Sequence, residues 1–205
     1  MLLSLIGDIH GEFGYYNDLI KYNDGITIQV GDFGIGFPGH PYPKKIEGNH
    51  WFIRGNHDNP FICKDHPNYL GDYGYRKEWN LFYVSGGASI DYNTRTNGYD
   101  WWSNEELDYH VLRDEVMPLY EETLPRVMIT HTCPLSILDE ILGKGKGRSS
   151  FPDVSKMSEQ VFEQLLGIHS PSLWVFGHHH YAFDKVINNT RFIGLNIGQI
   201  IDIEV

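Results

Sequence analysis

Residues 2–10 read LLSLIGDIH, a largely apolar run that ends in the polar cluster Gly7-Asp8-Ile9-His10. Four more polar clusters each follow a short apolar run that predicts a buried strand. They are Gly31-Asp32 after residues 26–30, Gly55-Asn56-His57-Asp58 after 51–53, Thr130-His131-Thr132 after 127–129, and Gly177-His178-His179-His180 after 173–176. Polar side chains at strand ends face a common crevice at one edge of a sheet. The pattern therefore predicts an α/β fold with one site assembled from five strand ends.

The segments between these clusters predict helices and further strands. The expected elements are a helix over 15–22, a strand over 79–85, a helix over 109–117 with Ser103 and Glu106 as its capping box, a helix opened by Ser155 or Ser158, and strands over 182–187, 191–195 and 200–204. The last three strands suggest an antiparallel meander. The short helices should cover the sheet.

Two segments carry no regular pattern and are expected to determine the choice of substrate. Residues 34–50 contain too much Gly and Pro for a long helix and indicate a loop over the crevice. Residues 86–102 contain Arg95, which could bind a phosphate oxygen, and Trp101 and Trp102, which could stack on a base or form a buried pair. The Gly-Lys-Gly-Lys-Gly-Arg run at 143–148 is either a phosphate-contacting loop or a flexible connection.

Composition sets limits on the class of protein. With 205 residues and 41% hydrophobic content, a single domain over residues 1–205 is expected. The formal net charge of -11 disfavours binding of duplex nucleic acid, which relies on attraction to phosphates. Cys63 and Cys133 are too few for a disulfide framework, and no export signal or membrane span is evident, so a cytoplasmic location is predicted.

The clusters also predict metal ligands. Alternate residues of an extended segment share a face, so Asp8 and His10 should grip one ion together, and His178 and His180 should repeat that geometry. Asp32 is a candidate bridging carboxylate, with Asn56 and His131 as further ligands. This mixed oxygen and nitrogen set without a thiolate suits Mn, Fe or Zn better than Ca.

In this order, the clusters resemble the motifs of calcineurin-like metallophosphoesterases, which are Asp-x-His, Gly-Asp, Gly-Asn-His-Asp, His and Gly-His-x-His. The resemblance spans nearly the whole chain, and residues 86–91 with Arg95 and the Trp pair are similar to small bacterial and phage members. It implies an α/β two-sheet sandwich flanked by helices, with a dinuclear metal site at the strand ends. The implied ligands are Asp8, His10, Asp32 and His180 for the first metal, and Asp32, Asn56, His131 and His178 for the second.

The resemblance implies a phosphoesterase with two divalent ions, Mn preferred and Fe, Zn or Ni as alternatives. Two ions roughly 3.5–4 Å apart can share a hydroxide that attacks a phosphodiester or phosphomonoester, here a small nucleotide-like substrate. His57 would stabilise charge or protonate the leaving oxygen, and Asp58 would orient His57. Asn56 and Arg95 are the candidate substrate contacts.

Three alternatives are open. A protein serine/threonine phosphatase is disfavoured because the sequence after Asp32 lacks Asp-Arg-Gly and because Asp58 stands where those enzymes carry Glu. A nuclease of the double-strand-break repair type would need a longer chain. A non-catalytic metal-binding interaction module would bind metals without cleaving simple esters.

Overall fold

The computed structural model describes residues 1–143 and 155–205. The strands in these residues are β1 (Leu2–Ile6), β2 (Ile26–Val30), β3 (His50–Ile53), β4 (Tyr73–Arg76), β5 (Leu81–Val84), β6 (Val127–Thr130), β7 (Leu173–Phe176), β8 (Phe183–Ile187), β9 (Thr190–Gly194) and β10 (Ile200–Glu204). The helices are α1 (Phe13–Ile20), α2 (Pro60–Lys64), α3 (Tyr109–Val111), α4 (Met117–Thr123), α5 (Leu135–Leu142) and α6 (Met157–Ile168). None of these helices has the length and apolar character needed to cross a membrane.

The strands form two sheets. The first has the order β10-β1-β2-β3, with β1, β2 and β3 parallel and β10 antiparallel to β1. The second has the order β4-β5-β6-β7-β9-β8, parallel from β5 to β9 and antiparallel at both outer strands. The predicted polar clusters follow β1, β2 and β3 in the first sheet and β6 and β7 in the second. Each sheet therefore contributes one part of the site.

Alternation of side chains along the strands builds three apolar layers. In β6, Val127 and Ile129 pack between the two sheets, whereas Met128 points to the outer layer. That outer layer packs the second sheet against α4, α5 and α6, and α1 covers the other face of the first sheet. The predicted two-sheet sandwich flanked by helices is confirmed.

The predicted capping box at Ser103 is wrong. The helix begins after Asp108, whose carboxylate accepts a hydrogen bond of 2.7 Å from the amide of His110. Glu106 instead accepts bonds from the amide and hydroxyl of Ser158 at the start of α6, at 2.9 and 2.8 Å. The Glu106 carboxylate, which the local pattern assigned to a helix cap, is therefore bound by a residue distant in sequence.

The helical region also continues past its predicted end. A π-helical turn, Leu112–Val116, joins α3 to α4, and Pro118 lies in the first turn of α4. Because proline lacks an amide hydrogen, it is tolerated where the preceding turn widens. Pro118 therefore does not end the helical segment, which extends to Thr123.

The predicted antiparallel meander at the end of the chain is partly wrong. β8 and β9 form the expected hairpin, but β10 leaves that sheet and pairs with β1. The sequence also gave no indication of α2, α5 or the outer strand β4. The Gly-Lys-Gly-Lys-Gly-Arg run lies outside the described residues from position 144 onward.

The layer between the sheets generates a stability prediction. Val175 of β7 is fully buried there, whereas Val186 of β8 is 70% exposed. Val175→Ala should lower the free energy of unfolding by about 2–3 kcal/mol, because it removes buried methyl groups and leaves a cavity. Val186→Ala, the same chemical change, should alter it by less than about 0.5 kcal/mol. Urea denaturation measures both, and equal effects would contradict the layer assignment.

Candidate metal centre

A first group of ligand atoms forms beyond the ends of β1, β2 and β7. Asp8, His10, Asp32 and His180 each offer one ligand atom, and these atoms lie within 4.8 Å of one another. His180 Nε2 is 3.0 Å from Asp8 Oδ2 and 2.8 Å from His10 Nε2. Side chains from both sheets therefore converge on one point.

A second group surrounds the buried imidazole of His131. Asp32, His131 and His178 offer ligand atoms within 4.8 Å of one another. His131 Nε2 lies 3.1 Å from Asp32 Oδ1, 3.1 Å from Asn56 Oδ1 and 3.2 Å from His178 Nδ1. The Asn56 amide oxygen thus joins this group from the end of β3.

Asp32 belongs to both groups. Its Oδ1 faces His131, and its Oδ2 is 3.9 Å from His10 Nε2. Burial alone would raise the pKa of the Asp32 carboxyl, but the imidazoles of His131, His57 and His10 hold it well below its usual range. For His131, burial opposes the charged form, yet the Asp32 and Asp8 carboxylates raise its pKa to about 9. A shared carboxylate between imidazole and amide donors fits a pair of divalent cations.

The backbone of the candidate ligands departs from the extended geometry that the sequence suggested. His10, Asp32, His178 and His180 have φ angles of 48°, 55°, 66° and 49°. Left-handed backbone is uncommon for residues other than glycine and costs of order 1–3 kcal/mol per residue. Asp8 and His10 therefore share a side because the chain turns after β1, and the expectation of an extended segment was wrong. Such a concentration of strained residues is typical of functional sites.

Two glycines of the motifs are required by close approach. A Cβ atom on Gly55 would collide with Asp32 Oδ1, and one on Gly177 would collide with Asp8 Oδ1. The glycine that precedes Asn56 and the glycine that precedes His178 thus leave room for the carboxylates.

The structure corrects the interpretation of Asp58. Its buried carboxylate accepts hydrogen bonds from the amides of Phe33, Gly34, Ile35 and Gly55, at distances of 2.7–3.1 Å. Among the described residues, no hydrogen bond joins it to His57. Burial and the Asp32 charge raise the pKa of Asp58 to about 6, against the effect of these amides. Asp58 ties the loop after β2 to the loop after β3, and so orients backbone instead of an imidazole.

Arg95 is the partner of His57. Its Nη2 lies 2.8 Å from His57 Nε2, and the same nitrogen is 2.8 Å from Asp91 Oδ1. The His57 ring stacks on Phe37, with ring centroids 4.8 Å apart. Phe37 belongs to residues 34–50 and Arg95 to residues 86–102, so the two irregular segments meet at His57.

Trp101 and Trp102, predicted either to stack on a base or to form a buried pair, lie in different surroundings. Trp102 is buried and packs edge-on against Phe37. Trp101 is half-buried and lies against Tyr92. They do not stack on each other as a pair, and Trp102 supports the ring beneath His57.

Sequence reasoning missed two residues behind Asn56. The Asn56 amide nitrogen donates to Ser89 Oγ at 3.2 Å, and Ser89 donates through its hydroxyl and its backbone amide to the buried Glu105 carboxylate, each at 2.6 Å. Because the Ser89 hydroxyl hydrogen goes to Glu105, its oxygen is left to accept from Asn56. This relay turns the Asn56 oxygen towards His131. No sequence motif marks it, since Ser89 and Glu105 are 16 residues apart.

Comparisons with known proteins complete the description of the site. The family model of calcineurin-like phosphoesterases matches residues 1–182. A comparison with curated proteins gave no match. Among solved structures, a candidate 5′-nucleotidase from Staphylococcus aureus is 11% identical with a TM-score of 0.51, and the alignment covers 98% of this chain and 50% of that one. At this identity the likeness supports the fold alone, and this chain spans half of that protein.

Two further solved structures are similar at lower scores. A phosphopantetheinyl hydrolase from Mycobacterium tuberculosis is 12% identical with a TM-score of 0.49, covering 95% of this chain and 90% of that one. A predicted phosphoesterase from Streptococcus pneumoniae is 10% identical with a TM-score of 0.43, covering 99% and 83%.

The relay behind Asn56 generates a prediction about metal affinity. Ser89→Ala should weaken Mn²⁺ binding about 10-fold at one of two sites, because groups that orient a ligand typically contribute 10–100-fold. Isothermal titration calorimetry measures the affinities. Ser172→Ala, which removes an exposed hydroxyl bonded to the Arg126 carbonyl, is the matched control and should leave binding unchanged. Unaltered affinity in Ser89→Ala would show that the relay does not position Asn56.

Proposed function

The chain belongs to the calcineurin-like phosphoesterase family, and from this premise we propose that it is a metal-dependent hydrolase of small phosphomonoesters or phosphodiesters. The observation that carries the proposal is the pair of ligand groups that share Asp32. We further propose that residues 1–205 form one domain. A cytoplasmic location remains a prediction, which the two free, buried cysteines support.

We assign two divalent ions to the two groups, with Mn preferred. Asp8, His10, Asp32 and His180 would hold one ion, and Asp32, Asn56, His131 and His178 the other. Such a pair supplies an activated water and a clamp on the phosphoryl oxygens. The protein holds the carboxylates ready for this task through backbone amides. His57 N–H donates 2.7 Å to Asp32 Oδ1, and His178 N–H donates to both oxygens of Asp8.

The His57 side chain would act together with Arg95. Burial lowers the pKa of His57, the Asp32 carboxylate opposes this shift, and Arg95 adds to it. Because a guanidinium can only donate, His57 Nε2 accepts in this pair and its proton resides on Nδ1. Arg95 is then the group that presents hydrogens and positive charge to a phosphoryl oxygen. When Arg95 turns to the phosphate, Nε2 of His57 is free to take up a proton from water, and the resulting imidazolium can donate that proton to the leaving oxygen.

Charge and size favour small substrates over polymers. The net charge of -11 opposes attraction of a long phosphate backbone. A compact ester needs no such attraction, because the excess positive charge of a metal pair over the Asp8 and Asp32 carboxylates is enough to bind one phosphate. A nuclease that acts on long nucleic acid therefore has less support, and the sequence after Asp32 disfavours a protein serine/threonine phosphatase.

Two variants, Asp32→Asn and His57→Ala, should differ in metal binding. With Mn²⁺, the protein should hydrolyse at least one of a generic phosphomonoester, a generic phosphodiester, a cyclic nucleotide and a phosphopeptide. Asp32→Asn should lose both metal binding and activity, because both groups depend on this carboxylate. His57→Ala should keep its metals and lose turnover about 10²–10⁴-fold, the usual range for a proton-transferring or charge-stabilising group.

Metal content by mass spectrometry and phosphate release give the two readouts. Metal binding without hydrolysis of any ester would instead support an interaction module. Activity that survives in Asp32→Asn would identify a contaminant.

Arg95 has a separate prediction. Arg95→Ala should lower kcat/KM by about 10–100-fold, since a hydrogen bond to a charged group contributes about 1.5–3 kcal/mol. Arg95→Lys should recover part of the loss, because the charge and the pairing with Asp91 remain. Arg113→Ala serves as the control, since Arg113 pairs with Asp114 on an exposed helix face. Steady-state kinetics would reject the role if Arg95→Ala and Arg113→Ala behaved alike.

A further inference from the structure

The candidate metal centre opens into a cavity of about 590 Å³, a size typical of ligand sites. Most of the surface that it exposes is apolar. Its polar lining residues are Asp32, Asn56, His57, Asp91, Arg95, Ser155, Lys156, Glu159, His178, His179 and His180. The apolar residues are Ile90, Leu138, Ile141, Leu142 and Tyr181. One cavity therefore joins a phosphate-binding end to an apolar wall.

The apolar wall is unusually accessible. Ile90 is 54% exposed, Tyr181 56% and Leu142 38%. Large apolar side chains that share one concave surface and remain in contact with water mark a binding site more often than a packing defect. They line the same cavity as His57 and Arg95, where the organic part of a bound phosphoester would lie.

Several polar atoms of the cavity are already engaged within the protein. The Asp91 carboxylate pairs with Arg95, and Ser155 Oγ accepts from the amide of Met157. His179 Nε2 points away from the metal ligands, 3.3 Å from Thr132 Oγ1. Glu159 Oε1 accepts from Thr132 Oγ1, whereas its buried Oε2 has no hydrogen-bond partner among the described residues. Burial together with Glu106 raises the pKa of Glu159 to about 7.

We propose that the substrate is a phosphoester whose organic group is an alkyl or aryl chain, bound against Ile90, Leu142 and Tyr181. This inference rests on the proposed function and narrows it, because a nucleotide-like substrate then becomes the weaker candidate. Each methylene that leaves water contributes up to roughly a fourfold gain in affinity. The wall therefore selects substrates by the length of the chain.

Binding of non-hydrolysable alkylphosphonates tests the proposal without requiring turnover. Calorimetry with the Mn²⁺-loaded full chain should show that hexylphosphonate binds at least about tenfold more tightly than methylphosphonate, with butylphosphonate between them. The heat capacity change of binding should become more negative as the chain lengthens. Thymidine 5′-monophosphate, which carries a sugar and a base, should bind more weakly than hexylphosphonate.

A matched pair of variants locates the effect. Ile90→Ser should reduce the hexyl-to-methyl affinity ratio at least about threefold, whereas Ile168→Ser, at the distant end of α6, should preserve it. An affinity that does not depend on chain length, or tighter binding of the thymidine nucleotide, would overturn the proposal.

A parallel assay of phosphoester hydrolysis separates this result from the proposed function. Chain-length selectivity without hydrolysis of any ester would uphold the apolar site and reject the enzyme. Hydrolysis without chain-length selectivity would uphold the proposed enzyme and reject the apolar site.

Discussion

The site depends on the contacts that the buried carboxylate of Asp32 makes with histidines of both sheets. The carboxylate reaches His131 from the second sheet with one oxygen and approaches His10 of the first sheet with the other. A carboxylate with 1% exposure is tolerated only if charge partners replace its lost hydration. The imidazoles and the His57 amide do so in part. The two sheets are therefore joined at this edge by electrostatics as well as by the apolar layer between them.

The polar clusters could be predicted because their constraints are local. Buried parallel strands need apolar runs, and a site at their ends needs polar residues directly afterwards, so the bounds of β1, β2 and β7 agreed with expectation. The fold class followed from the same pattern and from the family resemblance. The sequence could also indicate which residues lie together, since Asp8, His10 and His180 come from ends that face one crevice.

The errors arose where a partner distant in sequence decided the outcome. Glu106 matched a local capping motif, but its carboxylate accepts hydrogen bonds from Ser158 instead. β10 followed a hairpin, yet its register is set by β1. Asp58 stood beside His57 in the sequence, but four main-chain amides of two loops surround it. In each case the local pattern was compatible with two partners, and only the three-dimensional arrangement distinguishes them.

Residues 86–102 connect functions that the strand-end motifs keep separate. Within this segment, Ser89 holds the Asn56 amide, Ile90 lines the cavity and Arg95 contacts His57. Successive residues thus contact a candidate metal ligand and line the proposed site for the organic part of the substrate. Ser89 and Ile90 are adjacent in the chain, so the hydrogen bond that orients Asn56 and the apolar wall of the cavity are built on the same short segment. Asn56 is thus a candidate ligand whose orientation depends on this segment through Ser89, and we expect substrate selectivity and metal binding to be coupled there.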